Sequence, residues 1–172
     1  LYLYQLTNYN KILVQRNNLL KQIRFQNNLI ETLEAWDIQL VKYGSEVIKY
    51  REKFIKHLGE VCQKIHNKLT GGKEKILLEY DRDVGYDSYL TELAKKRQKD
   101  LKYSTTTVGP HRDDISFIVN GIDIRKYGSQ GQQRTAALSL KLAQIQLMRE
   151  VMKESPILLL DDVLSELDSN RK

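Results

Sequence analysis

The sequence predicts an α/β unit joined to a helical hairpin or arm, and three observations predict it. The first 70 residues hold only two glycines, Gly44 and Gly59, and no proline, which is helix composition. ISFIVNGIDI, residues 115–124, sets two alternating apolar runs around Asn120 and Gly121, the turn chemistry of a hairpin. Near the end, Ile157–Leu160 is entirely apolar and reads as a strand buried on both faces, as in a parallel α/β sheet.

Taken in order, apolar residues recur at heptad spacing in two frames. The first comprises Leu6, Tyr9, Leu13, Leu20, Ile23 and Ile30; the second comprises Leu33, Trp36, Leu40, Tyr43, Val47, Tyr50, Phe54 and Val61. The frame changes near Asn27 and Asn28, so two helices or one interrupted helix satisfy the pattern. Trp36, Tyr43 and Tyr50 read as helix-to-helix packing. Glu52 with Lys56, and Glu60 with Lys64, have the spacing of ion pairs on an exposed face. Gly71 and Gly72 end the helical segment. KILLEY from Lys75 reads as a strand, Tyr86–Lys99 as a helix and Ser104–Val108 as a β-branched strand leading into GPHRDD. The boundary between arm and α/β unit falls between about residues 70 and 104 and is drawn as 1–103 and 104–172.

The net charge of +6 lies wholly in residues 1–103, because basic and acidic residues balance after them. Lys11, Arg16, Lys21 and Arg24 stand in a stretch without any acid, and Lys95, Lys96 and Arg97 form a second basic cluster. Both are candidates for contact with nucleic-acid phosphates, since such faces attract polyanions. The single cysteine, Cys62, forms no internal bridge and fits a reducing, cytoplasmic setting as a small apolar filler. No apolar run approaches the roughly 20 residues that span a bilayer. The chain starts without methionine and without a visible signal peptide, so a fragment of a longer protein is expected.

KYGSQGQQRT, residues 126–135, has the composition of a linker but leads directly into TAALSLKLAQIQLMREVMKE, whose apolar residues repeat with helical period. SQGQ is therefore expected at a helix N-terminus. There, unbonded N–H groups and the helix dipole favour an anion, and Gly131 allows close approach. Asp161 and Asp162 follow the apolar strand at its carboxyl end, where α/β sheets place ligands. Carboxylates there can hold Mg²⁺ and orient water, or can simply cap a helix.

These stretches together resemble the RecF family, within the ABC-type ATPases of the SMC and Rad50 kind. QRNNLLKQ, TTTVGPHRDD, the Asn-Gly hairpin, YGSQGQQRTAALSLKLAQI and LLLDDVLSELD carry the resemblance over essentially the whole chain. It implies part of an ABC-type ATPase head with a P-loop NTPase-like sheet. Ser129, Gln130, Gly131 and Gln132 match the signature loop that contacts ATP of the opposite subunit. Asp161 matches the Walker B carboxylate for Mg²⁺. Asp162 stands at the catalytic position, where a glutamate is usual, and so implies slow hydrolysis. Ser165, Glu166, Leu167 and Asp168 match the D-loop. DNA with gaps or junctions, an ATP-dependent homodimer and the mediators RecR and RecO are the implied partners, with no membrane.

No GxxxxGK[ST] loop exists in the chain, so it holds only part of an ATP site. His111, Arg112, Asp113 and Asp114 are expected to form a turn held by Arg to Asp pairing rather than a metal cluster. A metal-dependent nuclease using Asp113, Asp114, Asp161 and Asp162 is one alternative function, and a helical interaction module is another.

Overall fold

The structure, a computed structural model, describes residues 1–153. Helix α1 spans Tyr2–Ile23, and after a 3-10 segment at Asn27–Thr32, α2 spans Leu33–Leu69. The frame change in the heptads thus marks a true break between two helices. Strand β1 is Ile76–Asp81, α3 is Tyr89–Tyr103, β2 is Asp114–Val119 and β3 is Ile122–Asp123. A short α4, Ile124–Tyr127, precedes α5, Gln130–Met152. Among the described residues the sheet has the order β1-β2-β3.

The contacts form two compact units, residues 1–52 with 81–114, and residues 53–80 with 115–172. The 37-residue α2 contributes to both units, and the sheet draws β1 into the second.

In the first unit, Leu19, Leu20, Ile23 and Leu33 pack together, with Trp36 half-buried against them. In the second, Ile55, Leu58, Cys62, Ile76, Leu78, Val119, Ala136 and Ala143 share one core. Cys62 is filler there, and burial pushes its thiol up to about 11. Strand β1 alternates as a half-buried strand should, with Ile76 and Leu78 inside and Leu77 and Glu79 outside.

The hairpin is as the sequence predicts, with Val119 opposite Ile122. Asn120 and Gly121 both have positive φ, 50° and 83°, which two-residue hairpin turns require. Asn120 also accepts from the Lys75 amide at 2.9 Å, so its side chain ties the turn to the start of β1.

Three expectations are corrected. Residues 104–108 form no strand. Side chains take up their backbone instead: the Thr106 amide donates to Asn17 at 2.8 Å and the Thr107 amide to Asp100 at 2.9 Å. Glu52 pairs with Arg82 at 3.2 Å rather than with Lys56, since a helical surface pair contributes only about 0.3–0.5 kcal/mol and yields readily to a tertiary partner. Ile30 and Phe54 are exposed: Ile30 lies in the 3-10 segment, outside both helices, and Phe54 is exposed although it shares the heptad position of the buried Val47 and Val61.

Candidate functional site

The stretch Ser129–Gln132 is a capped helix start. Ser129, in extended conformation, is the N-cap of α5; its Oγ accepts from the Gln132 amide at 3.3 Å, while Gln132 Oε1 accepts from the Ser129 amide at 3.0 Å. This reciprocal capping box fixes where the helix begins and which way its first turn faces. Gln133 adds a second tether, donating from Nε2 to the Ile124 carbonyl at 2.7 Å, and its amide closes the first turn on the Ser129 carbonyl at 3.0 Å. A linker has no such order. Ser129, Gln130 and Gly131 are exposed and Gln132 is half-buried, so the start of α5 faces solvent. An α-helix start of this kind favours an anion through its first N–H groups and its dipole.

Behind this exposed turn, the inner face of α5 carries buried hydroxyls. Thr135 Oγ1 donates to the Gly131 carbonyl at 2.8 Å and Ser139 Oγ to the Thr135 carbonyl at 2.7 Å. His66 of α2, with no exposure, lies 2.9 Å from Ser139 Oγ through Nδ1 and 3.4 Å from Glu74 through Nε2. Sequence reasoning missed these three residues; the available signal was the spacing of four from Gly131 to Thr135 to Ser139, which puts them on one helix face.

The basic candidates divide. Lys11, Lys21, Arg24, Lys95 and Lys96 are exposed, and all lie in the first compact unit. Lys95 also pairs with Glu92 at 2.7 Å. Arg16 is corrected: its side chain is wholly buried, with Nε 2.7 Å from Asp37 and Nη1 2.8 Å from Asp100 and from Thr106. A guanidinium enclosed in this way is unable to reach a phosphate. Arg97 is half-committed, with Nη2 2.8 Å from Asp37.

At His111–Asp114 the expected turn is present as a 3-10 segment, Pro110–Arg112, held by an Arg to Asp pair. The arginine is Arg51 of α2 rather than Arg112: Arg51 Nη1 lies 3.2 Å from Asp113, which also accepts from the Asp83 amide at 3.0 Å. His111 Nε2 is 3.1 Å from the Thr106 carbonyl, and its Nδ1 is 2.6 Å from the Tyr9 hydroxyl, itself 3.3 Å from that of Tyr89. Burial raises the pKa of both tyrosine hydroxyls. Burial likewise holds His111 below the usual imidazole value, against the bond to Thr106 and with help from the charge of Arg112. Gly109 fits this knot because it has none of its own side chain: φ is +136°, and a Cβ there would stand 2.2 Å from the Tyr89 hydroxyl.

Among the described residues no group of three His, Cys, Asp or Glu is arranged to hold a metal ion, and no helix is long and apolar enough to cross a membrane. Asp161, Asp162, Ser165, Glu166, Leu167 and Asp168, with the expected strand Ile157–Leu160, lie outside the described residues.

No protein-family profile matches the chain. Among curated proteins, those named DNA replication and repair protein RecF from Agathobacter rectalis and from Lachnoclostridium phytofermentans are each 55% identical over 172 residues, covering 100% of this chain and 48% of their own length. The RecF of Lachnospira eligens is 56% identical over 174 residues. The chain therefore spans about half the length of the curated relatives it matches. Of solved structures, the recombination mediator protein RecF with ATP in the RecFOR pathway superposes with a TM-score of 0.90 at 40% identity, over 99% of this chain and 48% of that one. Its RecF-ATPrS counterpart gives 0.88 at 39% identity. Identity at this level along the whole chain, on a shared fold, makes the chain similar to about half of a RecF protein.

Proposed function

We propose that the chain is the part of an ATP-switched DNA-binding protein, acting in DNA repair, recombination and replication, that offers the helix start Ser129–Gln132 to ATP held by a second copy. The observation that carries this is the capped, solvent-facing start of α5, in a chain whose fold matches that of a RecF solved with ATP. The Ser129 and Gln132 cap pre-forms the first turn, so little ordering is needed when an anion docks. Gly131 leaves the backbone open to close approach.

ATP, when bound, supplies the γ-phosphate that such a helix start favours, and its Mg²⁺-dependent hydrolysis removes that anion. On the family resemblance, Asp161 is assigned to Mg²⁺, Asp162 to the attacking water and Ser165–Asp168 to the dimer interface. Two copies thus associate in the ATP state and separate after slow hydrolysis. Residues 1–103 act as the arm and 104–172 as part of the ATPase head in this reading. RecR and RecO are the proposed protein partners, consistent with the RecFOR pathway of the structural relative.

DNA, as gapped or junction-containing duplex, is proposed to meet the exposed Lys11, Lys21, Arg24, Lys95 and Lys96. The test is DNA affinity of the full-length protein with ATP across a salt series, for the unmodified protein and for a variant with Lys11, Lys21, Lys95 and Lys96 replaced by alanine. Each lost phosphate contact lowers the salt slope by about 1, so the variant is expected to bind at least about tenfold more weakly at low salt and with a slope shallower by about 2–4. Unchanged affinity and slope would remove these lysines from the account.

A further inference from the structure

We propose that His66 is a positioning residue for the helix start Ser129–Gln132, acting from α2 through the buried hydroxyls of Ser139 and Thr135. The proposal rests on the reading of that helix start as the phosphate-contacting element. Gly131, Thr135 and Ser139 repeat every four residues, so they lie in line along the inner face of α5. The Ser139 hydroxyl proton is directed to the Thr135 carbonyl at 2.7 Å. The contact between His66 and Ser139, at 2.9 Å, must then be donated by Nδ1–H of the histidine. Nε2 on the far side of the ring lies 3.4 Å from the Glu74 carboxylate, which attracts the ring when that nitrogen also carries a proton. Thr70 steadies the backbone of His66 by donating from Oγ1 to its carbonyl at 2.9 Å. One step further out, Thr135 Oγ1 grips the Gly131 carbonyl at 2.8 Å, inside the capped turn itself.

His66, Ser139 and Thr135 are all buried, so these bonds work in a low-dielectric setting without competition from water. Hydroxyls bonded to the carbonyl four residues back also bend a helix. Two such bonds in series, the second receiving a donor from α2, fix how the first turn of α5 leans. The helix start presented to phosphate is thereby set by a histidine that touches neither phosphate nor the exposed turn.

The test is amide hydrogen exchange of residues 130–133 in the full-length protein without nucleotide, for the unmodified protein, Ser139→Ala, His66→Asn and His66→Gln. The asparagine amide nitrogen falls near the place of Nδ1 and keeps the donor to Ser139; the glutamine nitrogen falls near Nε2 and loses it. Ser139→Ala and His66→Gln are expected to speed exchange at Gln132 and Gln133, whose amides bond to Ser129, at least about tenfold while amides near Ile55 and Leu58 keep theirs, with His66→Asn close to the unmodified protein. Equal exchange at Gln132 and Gln133 in all four proteins, or equal loss in both His66 variants, would overturn the proposal. A parallel ATP titration of self-association separates it from the function proposed above. If the unmodified protein ignores ATP, that function fails, while the exchange result still decides the role of His66.

Discussion

At the scale of single residues, Arg16 shows how far charge in the sequence differs from charge in the fold. Its neighbours in sequence are polar and basic, which reads as a phosphate-binding face, but its partners Asp37 and Asp100 stand 21 and 84 residues away. No local pattern reveals such pairing. Its removal leaves Asp100 buried without a counter-charge and Asp37 with Arg97 alone, a loss of about 3–5 kcal/mol when one partner of a buried pair is deleted. Arg16→Met is therefore expected to lower the stability of the full-length protein by that amount in urea unfolding, with DNA contacts of the exposed lysines intact. A variant as stable as the unmodified protein would show that the buried network contributes little. By contrast, the helix start at Ser129 was legible, because the helical period of the apolar residues that follow it is a local signal, and local signals survive folding.

At the scale of elements, what the sequence made legible was what short-range chemistry decides. Asn120 and Gly121 specified their turn, the apolar run of KILLEY the strand β1, and the break near Asn27 the end of α1. Residues 104–108 misled because β-branched residues favour extended backbone without choosing its partner, and here Asn17 and Asp100 side chains take that role.

The segment that follows, Gly109–Asp113, is sensitive to acid. The folded protein keeps the His111 ring neutral to lower pH than the unfolded chain does, so below about pH 6.5 the unfolded chain binds the extra proton. The contribution of this ring to stability is present above that pH and is lost as pH falls. Since one edge of His111 is open to solvent, the effect is modest. The denaturation midpoint of the full-length protein is expected to drop between pH 7.5 and 5.5 by less in His111→Gln than in the unmodified protein. An identical drop in both would show that His111 has no part in it.

At the scale of the whole molecule, the two compact units hold different parts of the proposed function. The exposed lysines of α1 and α3 belong to the first, and the helix start with its His66 support belongs to the second. The resemblance to RecF, carried by five stretches in order, is matched by identity over the whole chain. The division into units was not legible, because it depends on the long α2 serving both and on β1 pairing with strands far along the chain.

The measurement that tests the central claim most directly is the solution mass of the full-length protein with and without ATP and Mg²⁺, for the unmodified protein, Ser129→Arg and Ser129→Asp. Arginine blocks the helix start and removes its cap. Aspartate caps as well as serine, within a few tenths of a kcal/mol, but sets a negative charge where phosphate should dock. The account predicts that ATP doubles the mass of the unmodified protein, that both variants stay monomeric, and that Ser129→Asp keeps the thermal midpoint of the unmodified protein. A Ser129→Asp protein that dimerises with ATP as readily as the unmodified one would contradict it.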